Sequence, residues 1–165
     1  MPGRQGDIMY TAISAKLINI AAAVTAGTVL LFGAGNGVAD AADRAANQIV
    51  ARISLSQQTM EVLVDGRPTF AWKVSTGGRG HLTPTGSFKP TRMHQMWYSR
   101  KYDNAPMPHS VFFKGGYAVH ATNFVRRLGQ PASHGCVRLH PDNAADFYQL
   151  VEMFGPTNTR IVIVK

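Results

Sequence analysis

Two runs decide the class of fold: Ile49-Val50-Ala51-Arg52-Ile53-Ser54-Leu55 and Thr59-Met60-Glu61-Val62-Leu63-Val64, separated by Ser56-Gln57-Gln58. Ile53 and Leu55, then Met60, Val62 and Val64, recur with period two, which places alternate side chains on one face of an extended chain. Asp65-Gly66 supplies a tight turn before Thr69-Phe70-Ala71-Trp72-Lys73-Val74, and such a pair between apolar alternations signals a hairpin. The stretch reads as a β-meander and predicts a mostly β protein.

Toward the C-terminus, Gly77-Gly78-Arg79-Gly80 and Thr83-Pro84-Thr85-Gly86 are loop chemistry, since Gly frees φ and Pro lacks an N–H. Residues 93–113 are rich in Met, aromatic and Pro side chains and read either as core packing or as a long loop walling a groove. Tyr117-Ala118-Val119-His120 is a short strand, and 124–132 a loop carrying Arg126 and Arg127. Ala144, Ala145, Phe147, Tyr148, Leu150, Val151 and Phe154 fall at helical spacing up to Gly155-Pro156. Arg160 to Val164 forms a last strand, apolar enough to be central. No internal repeat and no second domain is visible in the 165 residues.

Toward the N-terminus the character changes. Arg4 and Lys16 precede an apolar run from Leu17 to Phe32, and Ala39-Asp40-Ala41 follows. A charged region, an apolar region and an A-x-A site make a secretory signal, so residues 1–41 are expected to be a signal peptide cleaved after Ala41, with an uncleaved anchor as the alternative. Met9 offers a second start, with a shorter lead to Lys16. Residues 42–48 are then a linker and 49–165 the domain. Export to the periplasm or cell envelope follows.

The net charge is +8. Two basic and two acidic residues precede position 42 and cancel, so the domain keeps the whole excess. Such a charge suits nucleic acid or anionic envelope polymers; export disfavours nucleic acid. The single cysteine, Cys136, forms no internal disulfide, so the chain is not a disulfide scaffold.

The chemistry gathers in Ser133-His134-Gly135-Cys136-Val137-Arg138-Leu139, with His120 upstream. A thiol attacks as thiolate, and an ordinary pKa of about 8.5 calls for a nearby imidazole, cation or dipole. Gly135 allows a sharp turn that can aim backbone N–H groups at an oxyanion. Three readings of Cys136 stand at this point: a nucleophile, a small buried hydrophobe, or a zinc ligand with His120 and His134. The metal reading lacks a fourth ligand, and its spacing around Gly135 is cramped. His81, His94, His109 and His140 read as surface or loop residues.

Val74-Ser75-Thr76-Gly77, Thr83-Pro84-Thr85-Gly86, His120 and Ser133-His134-Gly135-Cys136, in this order, resemble the L,D-transpeptidase catalytic domain, the YkuD-like family. The likeness spans about residues 49–165 and takes in Ser56-Gln57-Gln58, Met107-Pro108 and the Tyr117–His120 strand. It implies a β-sandwich or partly closed barrel with one helix in the C-terminal half, no cofactor and no metal. It implies a peptidoglycan stem peptide as donor and an amine as acceptor, with carbapenem-type β-lactams as covalent inhibitors.

By the same resemblance Cys136 is the nucleophile and His120 the proton donor and acceptor, with the carbonyl of Ala121 orienting the ring. Ser133, His134 and Gly135 are expected beside the substrate or its oxyanion, Gly135 and Cys136 lending amides. Arg138 is expected to bind a substrate carboxylate or to pair with Asp142. The short interval from His120 to Ser133 implies a trimmed loop. A carboxypeptidase or amidase using the same nucleophile, and a catalytically silent wall-binding module, are the alternatives.

Overall fold

The computed structural model describes residues 47–165; the expected signal peptide and most of the linker lie outside the described residues. The opening runs form β1 (Ile49–Ser54) and β2 (Thr59–Val64), followed by β3 (Arg67–Lys73). Asp65 and Gly66 both take positive φ, 51° and 75°, the backbone of a two-residue hairpin whose twist matches its strands. In register, Ile49 faces Val64, Ala51 faces Val62 and Ile53 faces Met60, so the apolar positions of both strands share one face.

The remaining strands are β4 (Gly86–Phe88), β5 (Arg92–Ser99), β6 (Ala105–Lys114), β7 (Tyr117–Ala121), β8 (Val137–Leu139) and β9 (Thr159–Val164). They make two sheets, ordered β3-β2-β1-β9-β4 and β5-β6-β7-β8. Neither sheet closes on itself, so the architecture is the sandwich of the two forms expected. β9 lies between β1 and β4, parallel to β1; that central place suits its apolar sequence.

The core lies between the sheets: Ile49, Ile53, Met60, Val62, Ile161 and Ile163 from one meet Val111, Phe113, Val119, Val137 and Leu139 from the other. Each such side chain stabilises the fold by about 1.5–3 kcal/mol through burial. Helix α1 (Pro141–Phe154) adds Ala144, Phe147 and Val151 and packs on β6 and β7. It begins where His140 Nδ1 accepts from the Asp142 N–H, with Pro141 at its first turn, and ends at Gly155, φ 86°. Both limits follow from local chemistry, because Pro needs no N–H there and Gly tolerates a positive φ.

Residues 93–113 are not a loop. β5 and β6 pair across most of that span, joined by a short turn of helix at Arg100–Tyr102. Pro106 and Pro108 obscured the strand in the sequence. They are tolerated because β7 pairs only with the Val111–Lys114 end of β6, leaving the proline-bearing half without a neighbour on that side.

Candidate active site

β7 and β8 pair in parallel, with Val119 opposite Val137, His120 opposite Arg138 and Ala121 opposite Leu139. Val119, Ala121, Val137 and Leu139 are buried in the main core. Alternation therefore turns Ala118, His120, Cys136 and Arg138 to the other face of the sheet. There a smaller apolar cluster of Met107, Phe112 and Ala118, with Trp97 and Cys136 packed on it, floors the site.

His120 is 6% exposed. Its Nδ1 lies 2.7 Å from the carbonyl oxygen of Ala121, so Nδ1 carries the proton and donates, leaving Nε2 as the basic nitrogen. Burial lowers its pKa to about 4, against the opposing effect of the Ala121 hydrogen bond and with a further push from the Arg138 charge. The ring is neutral at pH 7.

At Cys136 the surroundings favour the protonated thiol. Burial pushes the thiol pKa up, and this outweighs a backbone hydrogen bond and the charge of Arg138, which pull it down. The thiol donates to the Gly116 carbonyl at 3.7 Å, a partner that favours the protonated form. The resting pair is a neutral thiol and a neutral imidazole.

The turn before Cys136 is tied internally. Gly135 has φ 109°, and a Cβ there would come within 2.6 Å of the Tyr117 ring, so glycine is required. The Gly135 N–H donates to Ser133 Oγ at 3.0 Å, and Ser133 Oγ donates to the Cys136 carbonyl at 2.6 Å. Two expectations change. Ser133 is 2% exposed and shapes the turn rather than facing substrate, and the Gly135 amide is committed to Ser133 instead of an oxyanion.

Thr83 completes the support. Its hydroxyl accepts from the Gly77 N–H and donates to the Gly135 carbonyl, both at 2.8 Å, joining three segments remote in sequence. Ser75 exchanges backbone bonds with Arg138, and Ser133 donates to the Thr76 carbonyl. Buried Gln58 holds the backbone N–H and the hydroxyl of Thr76. In the sequence, Thr83 is marked by loop composition and by its place in the Thr83–Gly86 block of the family resemblance, but neither gives it a role in the site.

His120, Cys136, His134 and Arg138 line one cavity of about 490 Å3. Arg138 does not pair with Asp142: its guanidinium donates to the Ala132 carbonyl at 3.3 Å, while Asp142 lies against His140 at 3.5 Å. Asp142 sits on the first turn of α1, whereas Arg138 points to the opposite face of β8. His134 is exposed at the rim, stacked on Tyr102 with ring centroids 4.5 Å apart and edge-on to His81. Lost hydration, then the charges of His81, Arg138 and Lys101, lower its pKa. Among the described residues no three His, Cys, Asp or Glu side chains gather as metal ligands, so the zinc reading has no geometric support.

The other histidines divide. His81 belongs to the rim, His140 caps α1, and His94 packs 4.7 Å from Trp97. His109 takes φ 51°, and the Gln95–His109 pair drops out of the β5–β6 register. Beyond that left-handed residue, Met107 reaches the same cluster as Phe112 although their positions differ in parity. The strand changes face at His109, a strained position of the kind that gathers at functional sites. Nothing in the sequence marked it.

Residues 48–163 match the family model for the L,D-transpeptidase catalytic domain, and the chain belongs to that family. YqjB of Bacillus subtilis (strain 168), which carries an L,D-transpeptidase name, is 30% identical over 117 residues, 63% of this chain and 64% of its own. An L,D-transpeptidase structure from Mycobacterium smegmatis superposes with a TM-score of 0.64 at 26% identity, covering 72% of this chain and 59% of that one. One from Stackebrandtia nassauensis gives 0.62 at 27%, covering 72% and 56%. LdtMt1, solved in complex with imipenem, shares the fold at 24% identity, with a TM-score of 0.63 and coverage of 70% and 58%. The chain spans about three-fifths of the length of these relatives.

Proposed function

We propose that this domain is a peptidoglycan L,D-transpeptidase acting through Cys136. The observation that carries the reading is His120, buried and neutral on the thiol's own sheet face, with Nδ1 tied to the Ala121 carbonyl and Nε2 left basic. As Cys136 attacks the carbonyl between the L-centre of diaminopimelate and the terminal D-alanine, Nε2 takes the thiol proton. The tetrahedral oxyanion is stabilised by the Cys136 amide. Collapse breaks the C–N bond, His120 returns the proton to the departing amine, and D-alanine leaves behind a thioester. An acceptor amine then attacks, giving its proton to His120, and the thiolate is expelled and reprotonated.

Because one base serves both amines, the leaving and incoming groups occupy the cavity that His120 lines. Arg138 stands in that cavity without an acidic partner among the described residues, fitted to hold the D-alanine carboxylate. The leader-like residues 1–41 and the basic domain fit an exported enzyme on an anionic wall. Sequencing the N-terminus of the exported protein tests that part; an unprocessed cytoplasmic product refutes it.

Incubation with disaccharide tetrapeptide followed by mass analysis tests the reaction. Crosslinked dimer with D-alanine release is expected, and Cys136→Ala should yield none. Tripeptide without dimer would make the domain a carboxypeptidase, and turnover by Cys136→Ala would refute the mechanism. A carbapenem should add its mass to the wild-type chain and not to Cys136→Ala.

A further inference from the structure

Cys136 stands between two cavities. Beside the one lined by His120 lies a larger trough of about 800 Å3, lined by Arg92, Arg100, Lys101, Trp97, Tyr117 and His81 among others and, within the described residues, by no Asp or Glu. Arg92 is its most organised cation. Arg92 faces Phe112 across the β5–β6 pair, with its guanidinium carbon 3.8 Å from the Phe112 ring centroid and 5.4 Å from that of Trp97. Trp97 in turn stands edge-on to Phe112 at 5.7 Å.

A guanidinium held over an aromatic ring loses rotamer freedom but keeps N–H groups that suit a carboxylate or phosphate. No acidic side chain among the described residues pairs with Arg92. The floor that holds it, Phe112 with Met107 and Trp97, is the cluster on which Cys136 packs, so an anion on Arg92 is held in fixed relation to the thiol.

We propose that this trough is a binding site for a carboxylate-bearing segment on the acyl side of the scissile bond, anchored by Arg92. The side assignment rests on the stem-peptide reading above: His120 does not line the trough, and both amines need His120, so the acyl portion is left to occupy it. A stem peptide carries carboxylates on that side, and the charged side chains of the lining, Arg92, Arg100 and Lys101, complement them.

Calorimetric titration of the full-length Cys136→Ala chain with disaccharide tetrapeptide tests the site, comparing acyl-side carboxylates left free with the same carboxylates amidated. Adding Arg92→Gln should raise the Kd of the free peptide by roughly ten-fold, the order for a charge-assisted pair. Amidation should raise it similarly, and Arg92→Gln should then add less than about two-fold. Arg92→Lys should fall between, since an ammonium keeps the charge and loses the fork. An unchanged Kd, an equal Arg92→Gln penalty on both peptides, or no binding of the free peptide overturns the proposal. Tighter Arg92-dependent binding of a poly(glycerol phosphate) chain also overturns it, in favour of a phosphate polymer. Turnover by the unmodified chain is a separate reading: Arg92-dependent binding without D-alanine release would refute the proposed reaction and leave the trough standing.

Discussion

β7 and β8 carry two faces made from the same short parallel pairing, and the two faces obey different rules. Toward the core, Val119, Ala121, Val137 and Leu139 are within 2% of complete burial and do nothing but pack. Toward the cavity, His120, Cys136 and Arg138 are polar or reactive, and each shows a displaced pKa. The comparison teaches that the core face supplies the rigidity that the cavity face uses. A shift in the core pairs would move His120 and Cys136 together.

Substitutions that separate the two faces test this most sharply. Cys136→Ala should remove turnover altogether, and His120→Ala should lower it by about 100- to 10,000-fold, while thermal unfolding shows both chains still folded. On the core side, Phe147→Ala should cost about 3–5 kcal/mol in chemical denaturation; a loss under about 1 kcal/mol would mean that α1 does not support β7 as described.

The pH dependence tests the cavity face alone. In the unfolded chain the imidazole takes a proton near its ordinary 6.5, but in the folded chain only near pH 4. Stability should therefore fall as pH drops through that window, by about 3 kcal/mol, and His120→Gln should flatten the curve. Iodoacetamide should alkylate Cys136 faster with rising pH throughout the neutral range; a rate independent of pH there would indicate a resident thiolate and contradict the neutral pair. The smallest effect is expected where the faces join: Thr83→Val should cost about 1–3 kcal/mol by leaving the Gly77 amide and the Gly135 carbonyl without their partner.

Much of the fold was legible because its signals are local. Alternation in β1 and β2, the Asp65-Gly66 turn and the helical spacing before Gly155 each depend on neighbours within a few residues. The β5–β6 hairpin was hidden, because its prolines are tolerated only where β7 fails to reach, a fact of sheet topology. In the site, Cys136, His120 and Gly135 were legible from residue type and order. Thr83 and His109 were not, since one acts through partners 6 and 52 residues away and the other through its backbone angle. Ser133 was visible but misassigned, because a hydroxyl looks the same in sequence whether it meets substrate or ties a turn.

The sequence by itself determined the mostly β class and the family, and it picked out Cys136 and His120 as the candidate pair. Their types and order survive without coordinates. Only the tertiary structure decided that the thiol rests protonated, that the Gly135 amide is already spent, and that a second, cationic trough opens beside Cys136. Desolvation, hydrogen-bond partners and cavity walls are made by residues distant along the chain, and they exist only once the sheets have packed.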